Sequence, residues 1–457
     1  MSQMKISFSM MRINQLNFFY SSFCAYLAAF SFGIMIGYTS PSLPDMERQK
    51  ILDKNQASWF GSLATIGAMV GSFLGGWLVQ YVGRRKTLIG TAIPFILGWF
   101  LIWWNGGLSD LFAGRFFTGV ASGMTVVSAP MYISETCTKE LRGMMGSGVQ
   151  LSITIGILFV YLLGLVFHWY TTAAVSGIIP IFAVLFSLRI PETPRYLVLQ
   201  NRKAEAYSSL MWLRGTSSSS IEEELRDIED SLGPDVSVSW SEFLEPQLKK
   251  PLIVAVGLMV IQQISGINVV MFYSVELFEK AGVTSGERAT VAIGVCQVLF
   301  TCVSCLLMDR AGRRVLLIIS GTLMAITCFG FGYYFHVSIT EGVNITWLAV
   351  ASLLFYIIGF SMGWGPIPML VMSEIFPVKA RGTATGITTV AVWIAAFVVT
   401  KEFSFMQQMI GSDGSFYVFG MCCILGTVFV YKCVPETKGK SLEDIEMYFL
   451  NKSPRVI

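Results

Sequence analysis

Charge is scarce in this chain. Asp, Glu, Lys and Arg make up 13% of its 457 residues, hydrophobic residues 54%, and mean hydropathy is +0.62. Soluble domains carry about a quarter charged residues, so this is an integral membrane composition. The net charge of +3 comes from a few clusters and gives no basic face for nucleic acid. Histidine is scarcer still: His168 and His336 are the only two, both at expected outer helix ends. With no nucleophile, phosphate loop or metal cluster in the chain, an enzyme, a cofactor site and a metal site are all disfavoured. The nine cysteines fall mostly in apolar runs. Cys302-x-x-Cys305 has no His or acid placed to complete a metal site and reads as small apolar filler. Lys5 and Arg12 precede an apolar run that continues to about Gly37 without a small-residue cleavage site. It reads as a first spanning helix and not as a signal peptide.

What the chain has is long apolar runs, at 16–37, 57–82, 88–104, 111–133, 146–167, 172–190, 251–278, 289–308, 315–336, 347–371, 383–400 and 415–434. These predict twelve spanning helices. Arg84, Arg85 and Lys86 follow the second run, Lys139 and Arg142 the fourth, Arg310, Arg313 and Arg314 the eighth, Lys379 and Arg381 the tenth. The opposite turns at 105–110, 168–171 and 337–346 contain no Lys or Arg, so both termini are expected in the cytoplasm. Asn344-Ile345-Thr346 then lies outside as a usable glycosylation sequon, and Asn451-Lys452-Ser453 lies inside.

The expected organisation is an N-terminal six-helix bundle (1–190), a cytoplasmic helical linker (191–250), a C-terminal six-helix bundle (251–434) and a cytoplasmic tail (435–457). In the linker, Ser217–Ser220 followed by Glu222, Glu223, Glu224, Arg226 and Asp227 predicts a capped surface helix, and Ala204–Arg214 a second amphipathic one. The halves repeat. Gly83-Arg84-Arg85 recurs as Gly312-Arg313-Arg314, Ser134-Glu135 with Arg142-Gly143 as Ser373-Glu374 with Arg381-Gly382, and Pro191-Glu192-Thr193 as Pro435-Glu436-Thr437. All three pairs lie about 240 residues apart (313 against 84, 374 against 135, 436 against 192), as two parallel repeats around a central cavity would require.

Each repeated motif sits at an expected cytoplasmic helix end and sets basic against acidic residues. Arg84, Arg85, Arg142, Arg313, Arg314 and Arg381 face Glu135, Glu192, Asp309, Glu374 and Glu436 as candidate partners. Topology explains the arginines but not glutamates at fixed spacing from them. The expectation is a latch bridging the halves, closed when the cavity opens outward and broken when it opens inward.

The seventh run holds Ile261-Gln-Gln-Ile-Ser-Gly-Ile-Asn-Val-Val-Met-Phe-Tyr273. Gln262, Gln263 and Asn268 have no reason to face lipid, where each unpaired amide costs several kcal/mol in rough terms. On one continuous helix Gln262 and Asn268 would not share a face, so a break is expected at Ser265-Gly266. A broken helix at mid-membrane depth is tolerated where it lines a cavity, and amides there grip hydroxyls well. Interhelical amide bonding is the competing reading. Three amides beside a Ser-Gly step favour a polyol-binding site.

Gly-Arg-Arg in both halves, Gln-Gln-Ile-Ser-Gly-Ile-Asn, Gly-Pro-Ile-Pro (365–368), Pro-Glu-Thr-Pro-Arg (191–195) and Pro-Glu-Thr-Lys-Gly (435–439) together resemble the sugar porters of the major facilitator superfamily. Val-Thr-Lys-Glu-Phe (399–403) and Gly-Lys-Ser-Leu-Glu-Asp-Ile-Glu (439–446) look closest to animal facilitative hexose carriers and insect facilitated trehalose transporters. The resemblance implies sugar contacts at Gln150, Gln262, Gln263, Asn268 and Gln297, a cavity tryptophan at Trp393 and an outer gate at Tyr273. It implies no cofactor, and as partners only a small-molecule sugar and membrane lipid, with the carrier working as a monomer. Four departures stand out. Met369 replaces the family's Trp after Gly-Pro-Ile-Pro, and Gln297 and Val392 stand where relatives often have Asn. Gln80-Tyr81-Val82-Gly83 replaces Asp-Arg-x-Gly, so the first-half latch is expected to be the weaker.

Proton-coupled relatives carry a first-helix aspartate near a fourth-helix arginine. Arg115 is present here, but the matching position is Met35, and no acid occurs from Leu16 to Gly37. Asp110, Glu276 and Glu402 lie toward outer ends. The expectation is facilitated diffusion, with a proton-coupled symporter or a non-transporting sugar sensor as the alternatives. A sensor would need a longer cytoplasmic tail than 435–457. Neither end carries an acidic dileucine signal, which favours the cell surface; glucose against trehalose stays open.

Overall fold

A bilayer interior offers the backbone no hydrogen-bond partners, so runs of this length close their bonds internally as helices. The computed structural model describes residues 2–138, 141–215, 219–232, 243, 245–340, 345–376, 378–438, 440 and 448–449. The first half comprises α1 (Ser2–Arg48), α2 (Lys54–Tyr81), α3 (Arg84–Gly90), α4 (Ala92–Trp104), α5 (Leu108–Thr136), α6 (Arg142–Val166) and α7 (Trp169–Ser187). Three short helices follow, α8 (Pro194–Leu199), α9 (Lys203–Arg214) and α10 (Ser219–Leu232). The second half comprises α11 (Pro246–Ile264), α12 (Ile267–Lys280), α13 (Gly286–Ala311), α14 (Arg313–Thr340), α15 (Thr346–Met362), α16 (Ile367–Ile375) and α17 (Val378–Cys433).

Among the described residues, eleven stretches are long and apolar enough to span a membrane, and the last, Thr383–Cys433, holds two spans in 51 residues. Gly411 interrupts it with φ +75°, so twelve spans result, as the apolar runs predict. The third, seventh and tenth spans are each split, at Thr91, at Ser265-Gly266 and at Gly363–Pro366. Where the chain turns between α1 and α2, Asp53 and Gln56 close a reciprocal cap. The Gln56 N–H donates to Asp53 Oδ1 at 2.8 Å, and the Asp53 N–H to Gln56 Oε1 at 3.0 Å.

Helix pairing repeats between the halves. α1 packs on α6 as α11 does on α17, and α4 packs on α5 and α7 as α14 does on α15 and α17. Among the described residues the largest interfaces between the bundles are α1 with α12, α2 with α17, and α6 with α13. The linker helices sit under the first bundle. Arg214 Nη1 donates to the Thr136 carbonyl at 2.9 Å and pairs with Glu224 at 2.6 Å, while Asn17 Nδ2 donates to the Trp212 carbonyl at 2.9 Å. α9 occupies the expected amphipathic segment; of Ser217–Ser220, residues 217 and 218 lie outside the described set.

α2 and α5 approach most closely where glycines face backbone. A β-carbon at Gly67 or Gly71 would overlap the carbonyl of Phe116 or Val120, and one at Gly119 or Gly123 that of Ala64 or Ala68. Small residues let membrane helices gain dispersion contact that lipid does not compete away. Gly71→Val should force the pair apart and cost about 1–3 kcal/mol. The measurement is the thermal unfolding midpoint of purified carrier in detergent, which should fall by several degrees relative to Gly76→Val, whose β-carbon meets nothing within 4 Å.

Candidate functional site

The seventh span breaks where the sequence pattern expects. α11 ends at Ile264, Gly266 takes φ +91°, and α12 begins at Ile267. The Gly266 position also faces the Phe419 ring, so a side chain there would be both strained and crowded. The break turns the three amides into one chain. Asn268 Nδ2 donates to Gln263 Oε1 at 2.6 Å, Gln263 Nε2 to Gln262 Oε1 at 3.0 Å, and Gln262 Nε2 to the Trp364 and Gly365 carbonyls of the split tenth span. Interhelical bonding, the competing expectation, is thus realised in these groups. Gln150 is half-buried on α6, and Gln297 is buried on α13, the helix that packs against it from the other half. Gln297 Oε1 is shielded from solvent without a hydrogen-bond partner.

On one side of the amides the halves are sewn together. Tyr273, where α12 kinks (φ −120°, ψ 17°), is buried against Phe403 with ring centroids 5.6 Å apart. Its hydroxyl reaches the Gly61 backbone of the other half and is shielded without a hydrogen-bond partner. Around it, Tyr161 OH donates to the Met271 carbonyl at 3.0 Å, the Val275 N–H to Ser40 Oγ at 3.2 Å, and Ser58 Oγ to the Lys401 carbonyl at 3.1 Å. Arg48 joins Glu279 and Glu287, and Lys401 lies 4.9 Å over the Trp59 ring. The innermost of these contacts is Trp393, whose Nε1 donates to Ser72 Oγ at 3.0 Å and whose ring meets Phe32 edge-on. The two bundles are therefore closed against each other on this side of the amides.

At the opposite end of the bundles the described ion pairs stay within one half each. Arg84 pairs with Glu135 at 2.9 Å, both nearly buried; Thr193 Oγ1 donates to the same carboxylate at 2.6 Å. Glu192 accepts the N–H groups of Arg84, Arg85 and Thr193 at 2.9–3.0 Å. The second half copies this: Arg313 pairs with Glu374 at 3.3 Å, and Glu436 accepts the N–H groups of Arg313 and Arg314 at 2.9 and 3.0 Å. Gly83 and Gly312 hold positive φ, and a β-carbon at either would also collide with the Glu192 or Glu436 carboxylate, so both positions require glycine. Among the described residues the repeated motifs thus form two separate networks, one in each half. The first-half pair is the shorter and more buried, and Tyr81 contributes its carbonyl to the Tyr196 hydroxyl at 3.0 Å. The side chains of Asp309, Arg142 and Arg381, and the Asn344 sequon, lie outside the described residues.

Arg115 is wholly buried among α1, α2 and α5. Its guanidinium donates to Thr39 Oγ1 at 2.7 Å and to the Met35 and Phe60 carbonyls, both at 3.3 Å, and lies 5.1 Å over the Phe60 ring. Sequence reasoning found this arginine but not its uncharged partners. It also missed Trp364, buried with Nε1 on the Leu317 carbonyl at 3.1 Å, and Tyr356, whose hydroxyl reaches the α11–α12 break. Apolar patterning marks both only as core. Met369, the departure after Gly-Pro-Ile-Pro, is 37% exposed on α16.

Two six-helix bundles, with broken helices and uncharged amides at their junction and one end shut, define a membrane carrier of the major facilitator fold. The chain belongs to the family described as "Sugar (and other) transporter", which matches residues 17–449. It is 41% identical over 462 residues to the Bos taurus solute carrier family 2, facilitated glucose transporter member 8, covering 94% of each chain. It is 38% identical over 443 residues to the Bombyx mori facilitated trehalose transporter Tret1, covering 95% of this chain and 87% of that one. The solved proton:xylose symporter XylE, bound to 6-bromo-6-deoxy-D-glucose, superposes with a TM-score of 0.79 at 26% identity, over 95% of this chain and all of that one. Like these relatives, the chain is a transporter and not an enzyme.

The duplicated carboxylates supply the prediction here. Glu192→Ala strands three backbone N–H groups and should destabilise the first bundle by about 1.5–3 kcal/mol, the range for bonds to a charged acceptor. Thermal unfolding of the purified variant checks it. Glu192→Gln, which keeps one acceptor oxygen, should recover part of the loss.

Proposed function

We propose that this carrier moves trehalose or glucose-type hexoses down their gradient by alternating access, with no coupled ion. The observation that carries the uncoupled reading is the surrounding of Arg115: backbone carbonyls and a hydroxyl accept its hydrogen bonds, and Met35 stands beside it in place of an acid. A coupling proton needs a titratable carboxylate whose environment changes during the cycle. The names of the bovine and silkworm relatives, facilitated glucose and facilitated trehalose transporters, support the same reading. The fold neighbour is a proton symporter, so the fold alone does not choose between the mechanisms.

In this reading Gln150, Gln262, Gln263, Asn268, Gln297 and Trp393 contact the sugar. Each amide offers both a donor and an acceptor, matching a hydroxyl group on both counts. The unpartnered Gln297 Oε1 supports a role for that residue, because a bound hydroxyl would satisfy it. Tyr273 closes the outer gate. The cytoplasmic arginines and glutamates, with Arg142, Asp309 and Arg381, form a latch when the inner end closes; the separate networks seen here fit an inward-facing state with that latch open. The carrier works as a monomer at the cell surface, with both termini cytoplasmic and Asn344 glycosylated outside.

Gln262→Ala should raise the half-saturation concentration about tenfold, the worth of one well-placed hydrogen bond in a dry site, with expression unchanged. Counterflow in proteoliposomes with labelled trehalose and glucose measures this and ranks the two sugars. Wild-type uptake into the same vesicles should be indifferent to an inward proton gradient. A severalfold stimulation would overturn the uncoupled mechanism.

A further inference from the structure

A helix that stops in mid-membrane leaves its last carbonyls without intrahelical partners, and each must be satisfied by some other group. At the α11–α12 break that group is Tyr356, from α15. The Tyr356 hydroxyl donates to the Ser265 carbonyl at 3.0 Å and lies 3.3 Å from Ser265 Oγ, which itself donates to the Gln262 carbonyl at 2.7 Å. Tyr356 and Ser265 are both 2% exposed, so water does not compete for these bonds. The same two spans are tied a second time, because Gln262 Nε2 donates to the Trp364 and Gly365 carbonyls at the α15–α16 break. Each break thus borrows its missing partner from the other span. The α15 side of this pair is itself anchored: Ser320 Oγ donates to the Gly359 carbonyl at 2.7 Å and Ser304 Oγ to the Met362 carbonyl at 2.9 Å.

The amides flank this break. Gln262 and Gln263 precede it, Asn268 follows it, and the Asn268–Gln263 bond at 2.6 Å spans it. We propose that Tyr356 is a positioning residue for the sugar site: by fixing the backbone at Ser265 it sets the spacing of the amides on either side, and so the affinity for sugar. This rests on the amides being the sugar contacts. Tyr356 touches no sugar itself. Removing its hydroxyl lets Ser265–Gly266 sample other backbone angles, and the amides must then be reordered at each binding event.

The test is zero-trans uptake in proteoliposomes, with half-saturation and maximal rate per folded carrier measured for wild type, Tyr356→Phe, Ser265→Ala, Gln262→Ala and Asn268→Ala, and for Tyr356→Phe combined with Asn268→Ala. Tyr356→Phe should raise half-saturation about fivefold, the scale of one buried hydrogen bond, with maximal rate within about twofold of wild type. Ser265→Ala, which keeps the carbonyl, should shift it in the same direction by about twofold, and gives the answer if Tyr356→Phe fails to fold. In the Asn268→Ala background the Tyr356 change should add little, because the pair it spaces is already gone. Unchanged half-saturation in Tyr356→Phe, a loss of maximal rate alone, or full multiplication of the two single effects would each overturn the proposal. Unchanged half-saturation in both Gln262→Ala and Asn268→Ala would instead remove the sugar-site reading beneath it.

Discussion

Every backbone N–H and C=O inside a bilayer must find a partner in the protein, and this chain breaks that ladder on purpose in its second half. An unsatisfied polar group in such surroundings costs several kcal/mol in rough terms. A span can therefore be interrupted only where side chains stand ready to replace the missing bonds. At Ser265-Gly266 and Gly363–Pro366 they do, through Tyr356 and Gln262. The breaks in turn let amides on both sides of a step project to one place, which an unbroken helix would not allow. The polar site is thus a consequence of how the backbone is satisfied and not an addition to it.

The second requirement is two bodies that keep their shape while moving against each other. Within each half the contacts are close and costly to break: glycine-backed packing of α2 on α5, carboxylates that cap several backbone N–H groups, and neighbouring carboxylates that pair with nearly buried arginines. Between halves they are fewer and cheaper, mostly single hydrogen bonds, exposed ion pairs and aromatic edges. An exposed ion pair contributes at most about 1 kcal/mol, so the outer seam can open without either bundle yielding. That difference is what permits rocking. The cytoplasmic motifs read at first as a bridge, because spacing in sequence shows which charges are near a helix end but not which neighbour they choose. Among the described residues, the partners of Arg84, Arg85, Arg313 and Arg314 each lie in the arginine's own half.

Much of the fold was legible. Twelve apolar runs, their charge bias and a repeat offset of about 240 residues already contain the two bundles, and the Ser-Gly step between Gln263 and Asn268 marks the break. Gly83 and Gly312 were visible as repeated motifs, though not the reason for them, a carboxylate lying where a β-carbon would go. Less of the site could be read. Tyr356, Ser72 and Trp364 lie in stretches whose composition marks them as filler, since a hydroxyl or an indole N–H matters only through the group it faces in three dimensions. The partners of Arg115 were hidden for the same reason, two of them being backbone carbonyls that carry no sequence signal.

Those partners bear on what drives the carrier. A buried guanidinium in a low-dielectric site must be compensated, and a carboxylate would do so most strongly, at the cost of responding to pH and to a proton gradient. Carbonyls and a hydroxyl compensate Arg115 by hydrogen bonding alone and do not titrate in the physiological range. The arginine is then free to tie α1, α2 and α5 together as a post. In the uncoupled mechanism proposed above, this cluster offers no carboxylate whose protonation would bias the inward and outward states. The sugar's own concentration on each side then sets the direction of net flow.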